Sequence, residues 1–247
     1  MIDIFRSEWT KIRSVRSTVW TLAVTAVLMV GLSGLLAAAV KSNADGPIRI
    51  DQALAVSLAG VMLAQLSMAT LGVLVISSEY RTGGIRTSLM AVPKRMRLLT
   101  GKLVVFTATS LVVCAIASAV AIGVGLLITQ PPAITLTDAL RAVLGATLYL
   151  TACGVFGLGL GTLIRHTPGA VVSAIALMLV LPQVANQLPG QWGQTVAEYF
   201  TTNAGMLLVS LSPQRGSLGP WSGFGVYLIW IAVATIMGAI LLRRRDA

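Results

Sequence analysis

His166 is the only histidine in 247 residues, so any metal site or acid-base pair built on it would need companions close by. It sits between Arg165 and Thr167, just before Pro168, with no second His, Cys or carboxylate at ligand spacing. It reads as a solvated turn residue. Cys114 and Cys153 both fall inside long apolar runs, where a thiol packs as a small apolar group, and their spacing suits neither metal nor redox chemistry. Gly101 and Lys102 are followed by Leu103 and lack the preceding glycine of a phosphate-cradling loop. An enzyme acting on lipid or peptide bonds would need paired carboxylates, a metal cluster or a Ser and His arrangement near an interface. Only His166 and scattered acids are available. No catalytic residue and no metal site is expected, and ATP-driven work would require hydrolysis on another chain.

The elements around these residues are set by hydropathy. The chain is 56% hydrophobic and 11% charged, where a soluble domain carries roughly a quarter charged residues. Crossing the hydrocarbon core takes about 20 apolar residues in a helix, and six segments qualify, at about 18–40, 53–77, 103–128, 139–164, 169–188 and 223–242. The expected fold class is therefore an all-α integral membrane protein, a single transmembrane domain over 1–247. Ala37, Ala38 and Ala39 resemble a signal-peptide cleavage site, but the first run exceeds the 7 to 15 apolar residues of a signal core and is expected to stay as an anchor.

Charge sets the orientation. The net charge of +10 could suit a nucleic acid, yet an N-terminus in the cytoplasm places fourteen of the 18 basic residues on the inside. The positive-inside rule selects both termini cytoplasmic. Topology and anionic lipid headgroups account for the charge, and no nucleic acid partner is needed. No Asp, Glu, Lys, Arg or His falls in mid-membrane, which removes the usual sign of a proton relay or ion site.

Five segments are more than simple spans. Residues 2–19 project as an amphipathic helix with Ile2, Ile4, Phe5, Trp9, Ile12, Val15 and Val19 on one arc, as in a helix lying in the interface. Glu8 and Arg16 intrude on that arc. The loop at 78–102 carries six basic residues; Gly83 and Gly84 allow a sharp turn, Ile85 to Val92 can form a short helix, and Pro93 ends it. It serves either as a topology-fixing basic loop or as a docking knob for a cytoplasmic protein. Residues 190–222 are too polar to span, yet AEYF and AGMLLVSL within them hold enough apolar surface for two short re-entrant or interfacial helices. In the fourth span, Gly157 and Gly161 form a small-xxx-small pair, suited to helix packing inside the chain or to a dimer contact. Pro182, Gln183 and Asn186 kink and pack the fifth span or line a pathway.

The opening EWTKIRSVRSTVW, the segment EYRTGGIRTSL with PKRMRLLTGKL after it, LGLGTLIRHTPGAVV, and EYFTTNAG together resemble the membrane subunit of a type 2 ATP-binding cassette transporter, over nearly the whole chain. The resemblance implies an N-terminal elbow helix over 1–17 and a coupling helix within Glu79 to Val92. Glu79, Tyr80, Arg81, Gly84 and Arg86 would then touch a separate cytoplasmic ATPase that holds ATP and Mg. It also implies a second permease subunit, identical or not, in the cell membrane, and export of a drug-like, peptide or lipid-like compound through a pathway to which Gln183 and Asn186 could contribute. The residues alone leave open a secondary transporter and a non-transporting anchor or regulatory subunit.

Overall fold

The structure, a computed structural model, describes residues 2–44, 46–82, 95–132, 134–210 and 217–244. Every regular element among them is helical. Helix α1 (Ile2–Ser14) leads into α2 (Arg16–Ser42). Next come α3 (Ile50–Ser57) and α4 (Val61–Thr82), then α5 (Arg95–Thr129) and α6 (Leu136–Ile164). The fifth crossing consists of α7 (Thr167–Ile175), a π-helical stretch Ala176–Val180, and α8 (Leu181–Ala185). Two short helices, α9 (Gly190–Glu198) and α10 (Thr201–Met206), precede α11 (Pro220–Arg244). Among the described residues, six segments are long and apolar enough to cross a membrane, matching the six expected crossings.

Helix α6 is the hub. It is buried over 78% of its most apolar stretch, against 22% for α2, because its small residues let neighbours approach. A Cβ on Gly157 would fall on the Ala69 carbonyl oxygen of α4, and one on Gly161 would come within 2.6 Å of Ile76 Cγ2. From the other side, a Cβ on Gly72 would fall on the Gly154 carbonyl oxygen. The glycines thus set a close seam between α4 and α6 within the chain.

Three elements depart from a simple reading of hydropathy. The amphipathic stretch is not continuous to residue 19: it breaks at Val15, whose extended backbone (φ −79°, ψ 109°) caps α2. A β-branched residue between Ser14 and Arg16, with Ser17 beyond, is a weak helix former. The second crossing is interrupted by a turn over Leu58–Gly60 that lies against α2; a Cβ on Gly60 would meet Met29 Cα at 2.6 Å. The fifth crossing widens to a π turn just before Pro182. Proline has no N–H and its ring crowds the carbonyl four residues back, which here is Met178. The carbonyls of Leu177 and Met178 are instead satisfied by the hydroxyls of Thr201 (2.6 Å) and Thr202 (2.8 Å) from α10, as backbone freed inside a bilayer requires.

The expected short helix over Ile85–Val92 lies outside the described residues, and so do Gly84 and Arg86. Two short helices do occur within 190–222, but as α9 and α10 they start before the expected AEYF and AGMLLVSL stretches: Tyr199 and Phe200 lie between them, and the residues at 207–209 form a turn.

Candidate functional site

Two sites stand at opposite ends of the bundle. The first gathers at the roots of the 83–94 segment, where α4 ends and α5 begins, and where α1 crosses them. The face of α1 turned to the bundle is Ile4, Glu8 and Ile12, one turn apart and all buried, while Trp9 is half exposed. Gly101 makes the seat: a Cβ there would come within 2.5 Å of Ile4 Cγ2.

Glu8, the misfit on the apolar arc, is buried because four charges close on one another. Lys102 Nζ donates to Glu8 Oε2 at 2.6 Å and to Glu79 Oε1 at 3.0 Å. Lys11 Nζ donates to Glu8 Oε1 at 2.7 Å and to Glu79 Oε1 at 2.9 Å. The result is a closed ring of alternating sign, Glu8, Lys102, Glu79, Lys11, contributed by three helices. Lys102 and Glu8 are almost fully enclosed, while Lys11 reaches the surface. Glu79 Oε2 is also buried and has no hydrogen-bond partner among the described residues. At Lys11, partial burial works to lower the pKa, but the hydrogen bonds and charges of Glu79 and Glu8 together outweigh it and raise the pKa above its ordinary 10.5.

Next to the ring, the Arg165 guanidinium lies over the Tyr80 ring, 5.0 Å from its centroid, and donates through Nη2 to the Leu241 carbonyl at 3.2 Å. Arg165 itself takes a left-handed conformation (φ 58°) that ends α6. One cation therefore ties the ends of α4, α6 and α11, and sits favourably on a C-terminal carbonyl. His166 caps α7, its Nδ1 accepting from the Gly169 amide at 3.3 Å.

The second site is a cavity of about 750 Å³ between α4, the fifth crossing, and α9 and α10. Gln183 and Asn186 line it together with Gln65, Gln194 and Asn203. Gln65 closes the inner wall, its Oε1 accepting from the buried Tyr149 hydroxyl. Asn203 Nδ2 donates to Asn186 Oδ1 at 3.0 Å and to the Ala197 carbonyl at 2.9 Å. Glu198 Oε1 accepts from Ser217 Oγ at 3.0 Å and from the Leu218 amide at 2.7 Å, holding α9 to the start of α11. Met62, Met178 and Met206 supply apolar wall. Amide groups beside flexible thioethers give the wall both hydrogen-bonding groups and adaptable apolar surface.

Of the residues singled out in the sequence, Glu79 enters the ring, Tyr80 packs under Arg165, and Arg81 lies in the last turn of α4. Glu8, Lys11 and Lys102 were not recognised as a group. The signal was an acid on the apolar arc of α1, with a lysine one turn later, but its partner Lys102 lies ninety-four residues away.

A model of the ABC-2 family transporter proteins matches residues 4–183, from α1 through Gln183 of the cavity wall. The chain belongs to this family. The ABC-2 permease is the multi-pass membrane component of a transporter rather than its ATPase, and its family works in general with an ABC ATPase. No curated relative matches the chain.

Proposed function

We propose that this ABC-2 permease is half of an ATP-driven exporter in the cell membrane, with both termini cytoplasmic and a second permease subunit, identical or not, completing the pathway. The family match is the observation that carries this reading, and the charge distribution along the chain orients it. The segment from Glu79 to Val92 is the coupling element, with Tyr80, Arg81, Gly84 and Arg86 facing the ATPase and Glu79 anchoring its root. ATP and Mg belong to the ATPase. Closure of the ATPases moves the coupling segments together, a rigid-body switch.

Cargo leaves through the amide-lined cavity at the far end. Its volume of about 750 Å³ lies within the range that drug-sized ligands fill. Gln183, Asn186 and the neighbouring methionines favour an amphipathic drug-like, peptide or lipid-like cargo. Helices α9 and α10 then act as the outer re-entrant pieces.

The reading is tested by gentle extraction of the tagged chain, identification of co-purifying proteins, and vanadate-sensitive ATP hydrolysis with and without Arg86→Ala. The expected result is a stoichiometric ATPase that Arg86→Ala releases. A chain that purifies alone, with no ATP hydrolysis, overturns it.

A further inference from the structure

The ring of Glu8, Lys102, Glu79 and Lys11 spans the three segments that meet at the roots of 83–94. Glu79 stands four residues before that segment and Lys102 eight after it; Lys102 reaches across to Glu8 of α1, and Lys11 of α1 reaches across to Glu79. Each root is thus bonded to the same short helix. The contact is bound in two ways, by Ile4 against Gly101 and by the charges one turn along. Apolar packing tolerates sliding, whereas four hydrogen bonds of 2.6–3.0 Å in a closed alternating cycle fix direction as well as distance. Burial of Glu8 and Lys102 means that a displaced partner would leave an uncompensated charge in an apolar environment, so the cycle opens as a whole or stays closed.

We propose that this ring is a strut, with Glu8 and Lys102 as positioning residues that make α1 and both roots of the 83–94 segment move as one body. A push or pull on the segment is then delivered to α1, α4 and α5 together instead of being absorbed by bending at one root. The inference rests on the reading of Glu79 to Val92 as the element that faces the ATPase.

Glu8→Gln with Lys102→Met removes two opposite charges and keeps the Lys11–Glu79 pair. In this variant, α1 amides are expected to exchange hydrogen at least tenfold faster than in the wild type. Vanadate-sensitive hydrolysis per co-purified ATPase should fall at least fivefold, while the amount of ATPase retained stays within twofold. A covalent substitute for the strut is available in the same background. A Cβ on Gly101 would lie 3.7 Å from Ile4 Cβ, a separation that a disulfide bridges, so Ile4→Cys with Gly101→Cys can be oxidised. The native thiols are buried and do not compete.

Oxidation should slow the exchange and restore hydrolysis, and reduction should undo both. Unchanged exchange in the Glu8→Gln, Lys102→Met variant would show that the ring adds nothing to the hold on α1 and would overturn the strut. Oxidation that slows exchange without restoring hydrolysis would overturn the positioning role. Should the wild type bring down no ATPase, the functional reading fails separately, and the exchange measurement alone decides whether the ring holds α1.

Discussion

The two ends of this bundle solve the placement of polar groups in opposite ways. At the roots of 83–94, four full charges, two of them almost fully enclosed, cancel one another at 2.6–3.0 Å. At the far end, polarity is carried chiefly by neutral amides around an open volume of about 750 Å³. A buried ion ring resists displacement because any opening strands a charge. An amide-lined wall exchanges one hydrogen-bond partner for another at low cost, since a typical net hydrogen bond contributes only about 0.5–1.5 kcal/mol. Under the proposed export role, rigidity suits the end that would receive force, and exchangeable partners suit the end that would hold cargo.

The sharpest way to break this contrast is to strand a charge. Lys102→Met leaves Glu8 and Glu79 enclosed with Lys11 alone, and is expected to cost about 3–5 kcal/mol, read as a loss of thermal stability in detergent. Glu8→Gln with Lys102→Met should cost clearly less than Lys102→Met alone. Equal losses would mean that shape, not charge, holds the ring.

The seam between the two ends offers the next test. Gly157→Ala puts a methyl on the Ala69 carbonyl oxygen and is expected to cost about 1–3 kcal/mol by overpacking. Gly225→Ala, where a Cβ meets nothing within 4 Å, should leave the melting temperature unchanged or slightly raised. Parallel effects at both glycines would refute the close seam.

At the cavity end, Thr202→Val strips the hydroxyl from the Met178 carbonyl and should cost about 1–2 kcal/mol, measured by the same unfolding assay. Gln183→Ala, exposed on the cavity wall, should change stability by less than about 0.5 kcal/mol. A large loss there would mean the wall is structural rather than adaptable.

The smallest expected effect concerns pH. The raised pKa of Lys11 gives a contribution that is full below the unfolded value of about 10.4 and is lost as pH rises through the higher folded value. The protection of α1 amides, taken relative to the intrinsic base-catalysed exchange rate, should therefore fall only in strongly alkaline solution. Loosening near neutrality would show that another group controls the ring.

Length and hydropathy determined the six crossings without any tertiary information, because an apolar run of about 20 residues has no soluble alternative of equal stability. The glycines of α6 and the Pro182 disturbance were equally legible, each being a local property of a few neighbouring residues. Tertiary structure alone decided which partner each of these meets. Glu8 reads as an error on an amphipathic arc until Lys102, distant in the chain, arrives beside it. Gly157 could have faced a second subunit as readily as Ala69. The carbonyls freed before Pro182 gave no hint that Thr201 and Thr202 would satisfy them. Periodicity encodes which face of a helix is apolar, but pairing between charges far apart in sequence depends on how the helices cross, and that is set by packing across the whole bundle.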